Sequence, residues 1–300
     1  MKVLLFGKNG QVGWELMRSL APLAELVALD RASAPLSGDL TDLDGIARTI
    51  RTVAPDVIVN AAAYTAVDRA EGQPDLCHTV NALAPGVMAR EAQRLGAWLV
   101  HYSTDYVFDG SGERPWLESD AVAPLGVYGR TKAQGEREIT EAGGRHLILR
   151  TSWVYAGRGA NFLSTILRLA RERERLTIVD DQFGAPTGAA LIADVTAHAL
   201  RAAMAREELE GTYHLVARGA TSWHGYASHA LALAKAAGRE FSAVLDPVPS
   251  SAYPTAAVRP HNSRLNHKKL ETAFGLRMPP WEDGVARVLA GAAGTAGGRA

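Results

Sequence analysis

Tyr128 and Lys132 stand four residues apart, and Thr104 precedes them by 24 positions. Residues at i and i+4 share one face of a helix, so the lysine ammonium comes beside the phenol and favours its ionised form. A carbonyl that receives hydride at carbon needs a proton on oxygen, and a phenol near its ordinary pKa of about 10 is a poor partner until it is shifted. Thr104 closes His101-Tyr102-Ser103-Thr104, a run that reads as a strand ending at the carboxyl edge of a sheet, and its hydroxyl would hydrogen-bond the same oxygen. Together these residue types support hydride transfer with proton delivery to a carbonyl.

Hydride transfer calls for a dinucleotide, and a glycine-rich turn, Gly7-Lys-Asn-Gly10-Gln-Val-Gly13, follows the first strand-like run. The first glycine permits the tight turn, the second lets backbone approach a pyrophosphate, and the third lets the helix pack on the strand. N–H groups at the helix start then hold phosphate, which places Gly7, Gly10, Gln11, Val12 and Gly13 at the cofactor. Asp30 ends the second strand, 17 residues beyond Gly13, where a carboxylate accepts from ribose hydroxyls. Arg31 beside it would instead cover a 2′-phosphate, so NADH and NADPH both stay open. Gly38-Asp39-Leu40-Thr41-Asp42 reads as a loop entering a helix, with Asp39 and Leu40 flanking the adenine. Ala61, Ala62 and Ala63 are small enough to run beside a flat cofactor, and Tyr64 and Thr65 line the same cleft.

These groups must be held by an α/β framework. Apolar runs at 2–6, 26–30, 56–63, 98–104, 146–155 and 175–180 alternate with amphipathic stretches, which predicts a doubly wound, Rossmann-like parallel sheet with helices on both faces. After residue 206 the pattern changes to a short strand at 212–216, an alanine-rich helix and a proline-punctuated region at 246–260, read as a smaller C-terminal α/β substrate lobe. The predicted division is a dinucleotide-binding domain over 1–152, to which 175–205 return, a substrate lobe over 153–174 and 206–290, and a flexible tail over 291–300.

Three hundred residues with 47% apolar content sustain such a core unaided by disulfides or metals. Lys and Arg total 32 against 32 Asp and Glu, so no overall field draws the chain to nucleic acid or an anionic membrane. The single cysteine, Cys77, fits a reducing compartment, and the apolar run Val3 to Phe6 is too short for a signal-peptide core, so the expected place is the cytoplasm.

The motifs resemble the extended short-chain dehydrogenase/reductase superfamily and, within it, the dTDP-4-dehydrorhamnose reductase family. The likeness runs from Lys2 to about Leu265 through Gly7-x2-Gly10-Gln11-x-Gly13, Gly38-Asp39-Leu40-Thr41-Asp42, Asn60-Ala61-Ala62-Ala63-Tyr64-Thr65-Ala66-Val67-Asp68-x-Ala70-Glu71, and Ser103-Thr104-Asp105-Tyr106-Val107-Phe108-Asp109-Gly110. It continues with Tyr128-Gly129-x2-Lys132, Arg150-Thr151-Ser152-Trp153-Val154-Tyr155, Asn161-Phe162, Asp181-Gln182-x-Gly184-x-Pro186-Thr187 and Arg259-Pro260-x-Asn262-Ser263-x-Leu265.

The resemblance implies that Thr104, Tyr128 and Lys132 form the catalytic set, with NADPH or NADH as cofactor and Lys132 also on the nicotinamide ribose. It implies a nucleotide-sugar substrate, reduced at the C4 keto group of dTDP-4-dehydro-6-deoxy-L-mannose to give dTDP-L-rhamnose. Thr104, Asp105, Trp153, Asn161, Gln182 and Arg259 are the substrate-side candidates. Some family members are described as dimers sharing a divalent ion, but Glu15, Asp194 and Glu282 are isolated in this sequence and no histidine spacing suits zinc. Mg2+ is therefore not supported, and a monomer or weak homodimer is expected. Two other readings stay open: a sugar-nucleotide epimerase or dehydratase of the same superfamily, and a non-catalytic nucleotide-binding regulatory subunit. Tyr106 stands where dehydratases place the second residue of an acidic pair, and the intact catalytic trio weighs against a regulatory role.

Overall fold

Apolar residues on both faces of short strands build the central sheet. The structure, a computed structural model, describes residues 1–294. Lys2–Phe6 (β1), Glu25–Leu29 (β2), Val57–Asn60 (β3), Trp98–Thr104 (β4) and His146–Thr151 (β5) join Gly211–His214 in one parallel sheet. Its spatial order is Gly211–His214, β5, β4, β3, β1, β2. Successive side chains of a strand point to opposite faces. Val3, Leu5, Val57, Val59, Val100 and Leu149 thus enter one core, while Leu4, Phe6, Ile58, Leu99 and Ile148 enter the other. Helices Gln11–Leu20 and Ala189–Ala205 cover the first face; Leu43–Val53 and Ala84–Leu95 cover the second. Covering both faces explains why these strands read as nearly unbroken apolar runs.

Two expectations about the strands are corrected. Arg175–Val179 does not enter the central sheet but pairs in parallel with Val244–Val248. Its burial alternates, with Arg175 and Thr177 exposed and Leu176 and Ile178 buried, the mark of a strand covered on one face only. The place beside β5 is taken by Gly211–His214, from the region assigned to the smaller lobe. Ala61, Ala62 and Ala63 leave the strand after Asn60 and form a loop.

The remaining small sheets pair Val154–Tyr155 with Thr187–Gly188 and Phe183–Gly184 with Thr221–Ser222. Around them Tyr155, Phe162, Trp223, Tyr226 and Trp281 form an aromatic core among helices Phe162–Glu172, Trp223–Ala236 and Trp281–Gly294. That last helix contains residues 291–294 of the expected tail, and residues 295–300 lie outside the described residues.

Candidate active site

The chain leaves β1 for β2 on one side and returns to β3 on the other, so the carboxyl ends of β1 and β3 diverge at a topological switch point. The glycine turn sits there. Gly7 has φ 89°, and a Cβ on it would lie 2.7 Å from the Ala62 nitrogen. At Gly13 a Cβ would lie 2.0 Å from the Gly7 carbonyl oxygen, so only glycine lets the helix start against the turn. Gly10 is the N-cap of Gln11–Leu20 and no side chain caps it, which leaves the first N–H groups directed at the turn. This cradle fits a dinucleotide pyrophosphate.

Asp30 lies just past β2 at the rim of the turn. It accepts from the Ser33 hydroxyl at 2.9 Å and the Ala32 N–H at 3.0 Å, with Lys8 Nζ at 3.7 Å, and the Ser33 bond foremost holds its carboxyl below the usual range. Arg31 is exposed and reaches Asp39 at 3.2 Å. The Leu40 side chain is buried with Ile46 and Ile50, because it starts the apolar face continued by helix Leu43–Val53. The loop after β3 is held from below. Asn81 Oδ1 accepts from Tyr64 N–H at 2.9 Å, Asn81 Nδ2 donates to Tyr64 O at 3.0 Å, and Tyr64 OH donates to Gln73 at 2.8 Å. Ala63 and Thr65 stay exposed on its outer side.

Helix Val127–Glu141 brings Tyr128 and Lys132 to the end of β4. Gly126 cannot cap it with a side chain, and the Glu71 carboxylate does so instead, accepting from Val127 N–H at 2.8 Å. Gly129 lets the helix meet the turn Asp105–Val107, since a Cβ there would lie 2.2 Å from the Tyr106 oxygen. Farther along, Glu136 accepts two bonds from the buried Arg150 guanidinium, at 2.8 and 2.6 Å, and ties the helix to β5.

Thr104 lies close enough to Tyr128 to draw its phenol downward, and the Tyr128 ring meets Tyr106 edge-on at 5.5 Å. Thr104 donates to Asp105 at 3.0 Å and accepts from Tyr106 N–H at 3.2 Å. The expectation that Lys132 lowers the phenol is corrected. Burial pushes Tyr128 above its ordinary pKa and the Thr104 hydroxyl opposes that rise, whereas Lys132 Nζ is engaged by Tyr102 O at 2.6 Å and His101 Nε2 at 2.9 Å. Burial likewise pulls Lys132 down to about 8 and Asp105 up to about 6.

Tyr106 leads from this cluster into a cleft of about 990 Å³ lined by Thr65, Asp68, Asp181, Gln182, Trp223 and Arg259 among others. Arg259 donates to Asp68 at 2.6 Å across 191 residues of sequence, bringing two distant stretches of the chain to one wall. Gln182 donates to Ser250 at 2.9 Å and accepts from Trp223 Nε1 at 3.1 Å. Trp153, at φ 49°, stacks on Trp223 with centroids 3.6 Å apart, so one of its faces is already covered. Asn161, a substrate-side candidate, caps helix Phe162–Glu172 in this structure through its Oδ1, and its Nδ2 donates to Gln11 at 3.0 Å and Ala156 O at 2.9 Å.

The arrangement can hold a dinucleotide at the glycine turn and a carbonyl before Tyr128 and Thr104. A family model described as the RmlD substrate binding domain matches residues 1–293. The chain belongs to that family. A dTDP-4-dehydrorhamnose reductase from Shigella flexneri is 55% identical over 290 residues, covering 96% of this chain and 97% of that protein. Among solved structures, a dTDP-4-dehydrorhamnose reductase from Clostridium acetobutylicum superposes with a TM-score of 0.89 at 32% identity, covering 97% of this chain and 99% of that one. The Bacillus anthracis enzyme of the same name, solved in complex with NADP, gives 0.87 at 33% identity, covering 97% and 100%.

Several residues of this RmlD-family site carry no signal of their own in the sequence. Asn81 lies in a π-helical segment, Thr79–Leu83, a geometry frequent at functional sites but without a residue pattern that announces it. Asn60, Asp68 and Asp181 fall inside the motif blocks, yet only the fold shows what each one touches. Glu15 and Asp194, isolated in sequence, converge on Arg18 at 3.3 and 2.8 Å. Among the described residues no group of three or more His, Cys, Asp or Glu is placed to hold a metal ion, and no helix is long and apolar enough to cross a membrane.

Proposed function

We infer that this chain reduces the C4 keto group of dTDP-4-dehydro-6-deoxy-L-mannose with NADPH or NADH, forming dTDP-L-rhamnose for polysaccharide precursors. The observation that carries this reading is the 55% identity, across 96% of the chain, to a protein named for that reaction.

Tyr128 gives its phenolic proton to the carbonyl oxygen, and the Thr104 hydroxyl bonds the same oxygen. Reduced nicotinamide, when bound, supplies the hydride that arrives at C4. A buried phenol above its ordinary pKa is protonated when it meets a ketone, the state a donor needs, and the Thr104 hydroxyl eases the proton's departure. Lys132 holds the nicotinamide ribose. The Gly7–Gly13 turn holds the pyrophosphate, and Asp30 and Arg31 face the adenosine ribose, where a hydroxyl and a 2′-phosphate are both met by complementary charge. On the substrate side Asp105 and Gln182 accept from sugar hydroxyls, Trp153 borders the sugar nucleotide, and Arg259 meets the diphosphate. The protein works in the cytoplasm as a monomer or weak homodimer.

Purified protein should consume reduced nicotinamide only when the 4-keto sugar nucleotide is added, with the product sugar identified by NMR. An unchanged cofactor absorbance with that substrate would refute the reading. NAD retained through purification without net consumption would replace it with an epimerase.

A further inference from the structure

Behind Lys132 runs a buried polar chain of which the reaction as described uses only Lys132 itself. Lys132 and His101 are 2% and 1% exposed, and Lys132 Nζ lies 2.9 Å from His101 Nε2. On the far side of the ring, His101 Nδ1 lies 3.1 Å from Asn60 Nδ2. Asn60 is not free to turn over, because its Oδ1 accepts from Ala62 N–H at 3.2 Å. Its NH2 therefore donates to Nδ1, and a neutral ring must carry its proton on Nε2. That N–H points at Lys132. An ammonium offers only hydrogens to it, whereas an amine offers a lone pair.

We propose that His101, oriented by Asn60, is a positioning residue that holds Lys132 as the neutral amine until the cofactor docks. The chain starts at Ala62 N–H, in the loop pressed against Gly7, so it links the dinucleotide turn to Lys132 through side chains alone. Docking then brings ribose hydroxyls to Nζ, the amine takes one proton from solvent, and the resulting ammonium turns from His101 towards them. Before docking, the phenol has no cation beside it and keeps its proton.

The surroundings agree with this arrangement. Burial, the foremost cause, drives His101 well below its ordinary pKa, so the ring is neutral. Burial also draws Lys132 down to about 8, against the opposing Glu136 on its own helix and Cys77 on helix Pro74–His78, and the Nε2 proton of His101 carries it the remaining way to the amine at neutral pH. Tyr128, on the same helix one turn back, is held protonated.

The inference takes from the proposed function only the placing of Lys132 beside the cofactor, and its first readout needs no turnover. Long-range proton–nitrogen NMR of the cofactor-free protein should show the His101 ring protonated at Nε2; a proton on Nδ1, or on both nitrogens, overturns the proposal. The second readout is the pH dependence of NADH affinity, followed by fluorescence. His101→Gln lets an amide oxygen accept from the ammonium, and Asn60→Leu frees the ring to reverse without adding charge. Each should move the titration about one pH unit upward, a tenfold change in proton affinity. An unmoved titration in either variant, with folding verified by circular dichroism, also overturns it. Wild-type protein that shows the Nε2 proton but turns over no 4-keto sugar nucleotide counts against the proposed function alone.

Discussion

Gly135 and Asn81 meet with no side chain between them: a Cβ on Gly135 would lie 2.2 Å from the Asn81 carbonyl oxygen. Asn81 clamps the Tyr64 backbone, and Gly135 lies on the helix that carries Tyr128 and Lys132. Together with the Glu71 cap on Val127, this contact therefore sets the distance between the cofactor loop and the proton donor. Gly135→Ala should push the helix outward, destabilising the fold by about 1–3 kcal/mol as overpacking does. Turnover should fall more than that loss of folded protein explains. Urea unfolding and kcat measured on the same preparation check both parts; full activity at wild-type stability would show that the helix accommodates a methyl group.

The buried pair Glu136–Arg150 anchors that helix to β5, and the Arg150 guanidinium also lies 5.1 Å from the Phe108 ring centroid. Removing one partner strands the other charge in a low-dielectric interior. Glu136→Gln should cost about 3–5 kcal/mol, while the double variant Glu136→Leu/Arg150→Met should recover much of it because no unpaired charge remains. Chemical denaturation of the three proteins decides between an anchor held by charge and one held by packing.

Much of this molecule was legible in its sequence. Apolar runs of the right length located β1 to β5, because strands buried on both faces need apolar residues at nearly every position. The spacing of Gly7, Gly10 and Gly13 was informative for a similar reason, since each position excludes a Cβ by direct collision. What periodicity does not record is the partner. Arg175–Val179 and Gly211–His214 are both short strand-like runs, and nothing local states which of them lies beside β5. Lys132 was expected on Tyr128 because helical spacing names the neighbour on the same face. The groups that hold it, His101 and Tyr102 O, come from a strand about thirty residues earlier. Asn161 carries the same lesson: its capping of helix Phe162–Glu172 and its bond to Gln11, 150 residues away, have no signal in the local sequence.

Asp105 makes stability depend on pH in a direction opposite to most carboxylates. Burial raises its pKa to about 6, partly opposed by the nearby Ser263 and by the Thr104 bond, and its Oδ2 has no partner. An unfolded aspartate titrates near about 3.9, so the folded state binds the extra proton between those two values. The stabilisation is fully present below about pH 4 and is lost as pH rises through about 6. Other carboxylates with lowered pKa values act the opposite way, so the contribution is isolated by difference. Relative to Asp105→Asn, wild-type protein should lose melting temperature between pH 4 and 6; parallel curves would place a charged Asp105 in the fold.

Tyr128→Phe removes the phenolic oxygen and leaves the ring that meets Tyr106 edge-on. The polar chain from Asn60 to Lys132 does not include that oxygen. Dinucleotide affinity should therefore stay near the wild-type value while turnover falls by about 10²–10⁴, the range of a lost general acid. Thr104→Val should cost less, because the donor remains and only the hydroxyl that eases its proton's departure is gone. In both, kcat should fall with KM for the cofactor nearly unchanged, the pattern of an interaction made in the transition state. Steady-state kinetics together with NADH fluorescence titration separates the two quantities. Loss of cofactor binding in Tyr128→Phe would instead make the phenol part of the dinucleotide site, and the source of the proton would have to be sought at Asp105.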